Sequence, residues 1–326
     1  MGAASIPGSV TVRAPARLHL GFLNPSLGPH RRFASLGLTL QGLETRITIR
    51  RARAMRIAGP ERERVRRYVE AIEAHLGLRQ AWAIEVNQAL PAHAGLGSGT
   101  QIALALASGI RRLHGLPLDL HGDAVRLGRG ARSAIGIGAF DRGGLILDGG
   151  HGSNTRLAPV IARLRFPTAW RIILVLDPRR QGIHGEQETA AFAAMPPFPE
   201  TKAARHCQLV LMQVLPAVAE NDLVSFGSAI REWQADLGDF FASLQGGRRF
   251  TSSDVAMALA QLERAGAVGV GQSSWGPTGF AFMASRSDSR RALELLRNSL
   301  SHSPLDFREC AGLNRGARIE IHRGES

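Results

Sequence analysis

Between Pro91 and Gln101 the chain reads Pro-Ala-His-Ala-Gly-Leu-Gly-Ser-Gly-Thr-Gln, with Gly95, Gly97 and Gly99 alternating with other residues and Ser98 and Thr100 adding hydroxyls. The segment runs straight into Ile102, Leu106, Ile110 and Leu113, whose spacing predicts a helix that Gly115 and Pro117 end. A glycine-rich turn at a helix N-terminus exposes unpaired N–H groups and the positive end of the helix dipole, so the predicted chemistry is an anion cradle. The plainer alternative makes Ser98 or Thr100 an N-cap and assigns the glycines to tight packing. The spacing matches neither G-x-G-x-x-G nor G-x-x-x-x-G-K-[ST], which sets aside the dinucleotide fingerprint and the Walker-type loop.

The elements that must hold this loop show in the apolar patterning. Strand-like runs lie at Ser9 to Val12, Arg46 to Arg50, Trp82 to Val86, Leu145 to Asp148, Trp170 to Leu176, Gly279 to Met283 and Arg318 to His322. Val65, Val69, Ile72 and Leu76 mark a helix, and others are predicted over Ala203 to Leu215, Asp222 to Leu244, Ser253 to Gly266 and Ser289 to Ser301. Strands in the first half come in pairs without a helix after each, so the pattern is α+β and not a doubly wound sheet. With 326 residues, 44% of them hydrophobic, two lobes with real cores are expected. The polar, glycine-rich stretch Gly149 to Asn154 divides them into 1–155 and 156–326. No apolar run reaches the roughly 18 residues of a membrane span, and the opening MGAASIPGSVTV lacks the features of a secretory signal, so a cytoplasmic location is expected. Cys207 and Cys310, the only two cysteines, sit in unlike contexts and indicate neither a disulfide nor a thiolate metal site.

Forty basic residues against 27 acidic give a net charge of +13, a balance common in nucleic-acid binders. Only Lys202 among them is a lysine, and a skew to Arg fits a GC-rich coding bias better than a phosphate-tracking surface. Aromatics are 6% with a single Tyr, Tyr68, too few for stacking single strands. A small polyanionic substrate drawn by the positive field is the better expectation, and no nucleic acid or membrane partner is expected. The one lysine also leaves no well-placed Schiff-base nucleophile.

Pro91 to Thr100 resembles the phosphate loop of the GHMP superfamily, named for galacto-, homoserine, mevalonate and phosphomevalonate kinases, and Ala14-Pro15-Ala16-Arg17-Leu18 sits where those enzymes begin. More narrowly, six blocks in order are similar to the β-ribofuranosylaminobenzene 5′-phosphate synthase family. They are Arg17 to Gly21, Arg31-Arg32-Phe33 with Gly37-Leu38, Gly95 to Gln101, Arg132 to Ile137, Gly143 to Gly150, and Gly271 to Thr278. The resemblance implies a transferase of tetrahydromethanopterin biosynthesis that joins phosphoribosyl diphosphate to 4-aminobenzoate or 4-hydroxybenzoate. The products would be a C-riboside 5′-phosphate, diphosphate and carbon dioxide. It also implies the two-lobed GHMP fold, with a ribosomal-protein-S5-like first lobe and a ferredoxin-like second lobe, Mg²⁺ beside the diphosphate, no ATP, and a homodimer.

Departures from the kinase pattern favour the transferase. Where the kinases often show Ser-x-x-Asp before a Gly-Gly pair, this chain reads Ser133-Ala134-Ile135-Gly136 before Gly143-Gly144. The Lys of the kinase's opening block is Arg17, which cannot be deprotonated to assist a hydroxyl. A kinase acting on a small alcohol or acid is the alternative, with Asp141 as substitute acid. Ordinary phosphoribosyltransferases place two adjacent acids after an apolar strand, whereas Ile172 to Leu176 leads to Asp177-Pro178-Arg179.

On this resemblance Gly95, Gly97, Ser98, Gly99 and Thr100 would hold phosphate, supported by the cations Arg17, Arg32 and Arg132. Arg17, His19 and Asp148 are the candidate catalytic residues, and Asp148, Glu186 and Glu188 the oxygen donors for Mg²⁺. Gln272, Ser273, Ser274 and Trp275 are assigned to the benzoate, with Trp275 expected to project from a turn; a buried structural Trp is the alternative. His184 is placed on a flap over the site.

Overall fold

The computed structural model describes residues 7–25, 31–182 and 185–323. Eleven strands form one sheet: β1 (Pro7–Asn24), β2 (Phe33–Ala52), β3 (Arg56–Ala58), β4 (Ala81–Gln88), β5 (Leu145–Asp148), β6 (Val160–Leu164), β7 (Arg171–Leu176), β8 (Val268–Gln272), β9 (Gly279–Met283), β10 (Asp306–Gly312) and β11 (Arg318–Arg323). Helices are α1 (Arg62–Leu76), α2 (Ser98–Leu113), α3 (Leu120–Arg126), α4 (Ile135–Asp141), α5 (Gly185–Ala194), α6 (Glu200–Leu209), α7 (Leu215–Glu220), α8 (Leu223–Phe241), α9 (Ser253–Arg264) and α10 (Arg286–Ser299). The single helix expected over Ala203 to Leu215 is instead α6, a π-helical turn at Val210–Val214, and α7. Pro216 has no N–H to continue the α-helical ladder, and Leu215 N–H reaches back five residues to Val210 O.

Alternation in β1 and β2 buries Val10, Val12, Ile47 and Ile49 against α1 and α2, where Val65, Val69, Trp82 and Leu106 complete one core. A second core around Leu18, Leu38, Phe166, Phe226 and Trp233 joins the halves, and a third packs β7 and β9 on α9 and α10 through Ile173, Leu259 and Leu293. The second half follows the βαββαβ order with strands arranged β10-β7-β9-β8, the ferredoxin-like lobe. Two register shifts in β1, between Pro15 and Arg17 and between His19 and Gly21, bracket the residues this strand contributes to the site. Among the described residues no helix is long and apolar enough to cross a membrane.

The sheet crosses between lobes where Leu40 and Gln41 of β2 pair with Gly312 and Ala311 of β10. Beside that crossing three N–H groups close a ring: Thr39 donates to Gly144 O at 3.0 Å, Gly144 to Leu313 O at 2.8 Å, and Leu313 to Thr39 O at 2.8 Å. Gly143 precedes it at φ +67°, and a Cβ there would fall 2.2 Å from Arg315 O. Left-handed backbone costs a non-glycine residue about 1 to 2 kcal/mol by itself. Gly77, which ends α1 at φ +64° with nothing within 4 Å of a would-be Cβ, isolates that cost. Urea unfolding should therefore show Gly77→Ala losing about 1 to 2 kcal/mol and Gly143→Ala at least twice as much. Equal losses would mean that the crossing tolerates a side chain.

Candidate active site

A cavity of about 1150 Å³ opens between the loop before α2, one face of α1, the 128–133 turn, α5 and the loop after β8. Its floor is the glycine loop. Gly97 takes the N-cap position of α2 in the left-handed region, with no side-chain cap, so neither Ser98 nor Thr100 caps the helix. The N–H groups of Ser98 and Gly99 meet no acceptor among the described residues, which leaves orphan donors beside the Ser98 and Thr100 side chains. Gly97 and Gly95 are at φ +82° and +74°; a Cβ on them would lie 2.9 Å from Arg17 Cγ and 2.3 Å from Ser273 O.

Arg17 and His19 enter from β1. Arg17 Nη1 donates to Gly95 O, and the His19 backbone N–H donates to Ser273 Oγ at 3.1 Å. Burial lowers the Arg17 guanidinium to about 10 against the opposing pull of Glu188, so it stays charged at neutral pH. Burial first, and the Arg17 charge second, hold His19 well below its ordinary 6.5. Its ring is therefore neutral, and both ring nitrogens are buried without a hydrogen-bond partner among the described residues.

Five arginines (17, 64, 67, 129 and 132) face the cavity against two glutamates, 186 and 188. Arg132 Nη1 lies 2.7 Å from Glu188 Oε2, its Nη2 donates to Thr189 Oγ1 at 3.2 Å, and its guanidinium sits 5.4 Å from the Phe192 ring centre. Arg64 pairs with Glu61 at 3.0 Å, and Arg129 lies 6.0 Å from the Tyr68 ring centre. Arg64, Arg67 and Tyr68 escaped the sequence reading. Their i, i+3, i+4 spacing beside the Val65, Val69, Ile72 stripe was the available signal.

Of the predicted site residues, Arg17, His19, Gly95, Gly97, Ser98, Gly99, Thr100, Arg132, Glu186, Glu188, Ser274 and Trp275 border this cavity. The structure places the others elsewhere. Asp148 is fully buried and outside the cavity: Oδ1 accepts the N–H groups of Ser35 (3.1 Å) and Gly150 (3.0 Å), while Oδ2 accepts Ser35 Oγ (2.6 Å), Ser133 Oγ (3.1 Å) and Ala134 N–H (2.9 Å). Burial raises its pKa and these bonds oppose the rise. With both oxygens saturated it fastens β2 to β5 and α4, away from the cavity that Glu186 and Glu188 border. Among the described residues no three His, Cys, Asp or Glu side chains converge as metal ligands. Arg32 is exposed outside the cavity, its N–H bonded to His151 O at 3.0 Å. Ser273 is fully buried outside the cavity, with its hydroxyl donated to Gly95 O at 2.7 Å, so it staples the loop. Gln272 faces a separate small chamber. Trp275 does not project: it is buried against Phe192 and Phe241, with ring centres 5.2 and 4.6 Å away. His184 lies outside the described residues.

Asp141, the substitute acid of the kinase alternative, is half-exposed beside Arg142 at the far end of α4 and does not border the cavity. At Gly136 a Cβ would come 3.1 Å from Thr100 Cγ2 and 3.3 Å from Thr100 Cβ. A carboxylate side chain there would press on the glycine loop.

Residues 63–142 match the family described as GHMP kinases N terminal domain, and residues 214–302 that described as GHMP kinases C terminal. Over 326 aligned residues the chain is 32% identical to the beta-ribofuranosylphenol 5′-phosphate synthase of Archaeoglobus fulgidus, covering 95% of this chain and 99% of that one. The enzyme of the same name from Methanothermobacter thermautotrophicus is 31% identical over 288 residues, covering 82% and 86%. In fold, the homoserine kinase of Cytophaga hutchinsonii superposes with a TM-score of 0.69 at 17% identity, over 98% of this chain and 100% of that one. These matches, spread along a chain whose glycine loop and arginine-lined cavity occupy one continuous site, identify it as an enzyme of the beta-ribofuranosylphenol 5′-phosphate synthase family, built on the GHMP fold.

Proposed function

We propose that the chain is a decarboxylating phosphoribosyltransferase that joins phosphoribosyl diphosphate to 4-hydroxybenzoate or 4-aminobenzoate. The cavity carries this reading: five arginines and the orphan N–H groups of α2 face a volume of about 1150 Å³, large enough for a sugar polyphosphate and an aromatic acid together. We place it in the cytoplasm, as a homodimer serving tetrahydromethanopterin biosynthesis.

In this reaction the ring carbon bearing the carboxylate bonds to the anomeric carbon as the bond to diphosphate breaks. The electron pair of the carboxylate bond then returns to the ring and carbon dioxide departs. Ser98, Gly99 and Thr100 meet the phosphate charge through N–H and hydroxyl groups already oriented for it, so little reorganisation is needed as the leaving group gains charge. Arg17 and Arg132 add fixed cations on either side. Phe22 and Trp275 offer the acceptor ring an apolar wall. Two cavity carboxylates suit Mg²⁺, which takes one or two carboxylates together with substrate phosphates, and Glu186 and Glu188 would hold it. The ion would neutralise charge on the departing diphosphate. The packing of Gly136 on Thr100 and the outward position of Asp141 leave no acid for ATP-dependent phosphoryl transfer at those positions.

Purified protein with Mg²⁺, phosphoribosyl diphosphate and either benzoate should release diphosphate and carbon dioxide in equal amounts without ATP. Diphosphate release that ignores the benzoate, or strict ATP dependence with ADP formed, would overturn the reading.

The loop makes a second, sharper expectation. Ser98 is not a cap, so Ser98→Ala should leave the melting temperature unchanged while weakening phosphoribosyl diphosphate binding about tenfold to a hundredfold, the worth of one hydrogen bond to a charged group. Gly97→Val adds a side chain against Arg17 at a left-handed position and should nearly abolish turnover. Wild-type affinity in Ser98→Ala would remove its hydroxyl from the phosphate site.

A further inference from the structure

Beside the main cavity lies a chamber of about 30 Å³, and His19, Phe22, Ser274 and Trp275 wall both spaces. The chamber's amide walls are closed among themselves. Gln234 Nε2 donates to Leu20 O, and its Oε1 accepts Gln272 N–H at 2.8 Å. Gln272 Nε2 donates to Gln245 Oε1 at 2.8 Å, while its Oε1 accepts Thr251 N–H at 2.8 Å and Thr251 Oγ1 at 2.9 Å. Arg249 is clamped to Asp239. The unpaired atoms belong to two other walls: both ring nitrogens of His19, a residue 1% exposed, and Nε1 of Trp275, 5% exposed, meet no hydrogen-bond partner among the described residues. Buried polar groups are seldom left so, and both residues wall this chamber, so a group entering it and displacing these rings slightly would supply the missing partners.

We propose that this chamber receives the substituent para to the reacting carbon of the aromatic acceptor, a hydroxyl there accepting from Trp275 Nε1–H and donating to the unprotonated nitrogen of His19. The assignment rests on the phosphoribosyl-transfer reading above. The reacting carbon bears the carboxylate and must face the phosphate loop, so the para position is the opposite pole of the ring and points past His19 and Trp275. A space of this size takes a hydroxyl or an amino group and no second ring. Its unpaired groups are neutral, which suits an uncharged substituent and leaves the carboxylate among the arginines. A hydrogen bond from the hydroxyl to His19 pushes electron density to the carbon para to it, the carbon that attacks. An amino group donates to His19 equally well but is a poor acceptor, so Trp275 separates hydroxyl from amino while His19 serves both.

The test compares wild type, Trp275→Phe and His19→Phe, each keeping an aromatic ring and losing the unpaired polar atoms. Steady-state rates with 4-hydroxybenzoate and 4-aminobenzoate are combined with calorimetric affinities for 4-hydroxybenzoate and unsubstituted benzoate, measured with inorganic diphosphate in place of phosphoribosyl diphosphate. Trp275→Phe should lower the hydroxy-to-amino ratio of kcat/KM about tenfold, and His19→Phe should lower both rates. In each variant the affinity advantage of 4-hydroxybenzoate over benzoate should shrink about tenfold, with the protein still folded and phosphoribosyl diphosphate affinity unchanged; Trp275→Phe lowers the melting temperature through lost packing. An advantage that persists in both variants, or is absent from the wild type, overturns the assignment, as does an equal loss on every acceptor in Trp275→Phe. If the wild type turns over neither acid yet loses its hydroxyl advantage in the variants, the chamber stands and the reaction reading falls.

Discussion

The carbonyl of Gly95 is where the site is tied together. It accepts the Ser273 hydroxyl at 2.7 Å and the Arg17 guanidinium, and the same Ser273 oxygen accepts the His19 N–H at 3.1 Å. One serine thus joins β1, the loop before α2 and the loop after β8, elements from both halves of the chain. The contact is possible only because residue 95 lacks a Cβ, which would sit 2.3 Å from Ser273 O. Isolated charge in a buried setting is costly, and at Arg17 the field of Glu188 opposes that cost, so a charged guanidinium stands beside a neutral His19. The open N–H groups of α2 depend on the same tie, since it sets the path by which the chain enters the helix.

How far the site was legible follows from where its determinants lie. The glycine loop was readable because its glycines, hydroxyls and following apolar stripe are contiguous. Asp148 and Ser273 have the residue types of catalysis, and only burial shows that both are spent on internal bonds. The arginines of α1 were hidden by their abundance: in a chain with 40 basic residues, a helical face carrying two of them does not stand out until the fold turns it inward. In the fold, β2 was read only at Arg46 to Arg50 because its other half, from Leu36 to Leu40, is buried on both faces and shows no alternation. β8 does alternate in burial, but glycines at its buried positions left no apolar side chains to show it.

A shared architecture with homoserine kinase does not carry kinase chemistry with it. The glycine loop is present, while the position that the resemblance assigns to the kinase acid is a glycine packed against Thr100. Gly136 O also accepts Gln101 Nε2 at 2.8 Å, so α4 braces the loop it would otherwise face with a carboxylate.

The pairing of β11 with β1 has a consequence for biosynthesis. Val10 meets Ile321, a partner that leaves the ribosome on the order of 15 to 60 s later at ordinary elongation rates. Throughout that interval the outer edge of β1 is an unfilled template in a nascent chain whose neighbouring strands already exist. Arg13 sits on that edge, paired in the finished fold with Glu44 at 3.4 Å and Glu320 at 3.5 Å. Until Glu320 emerges, a charge at the end of that open stretch discourages a second nascent chain from docking there, so the same residue guards the edge first and pins its proper partner afterwards.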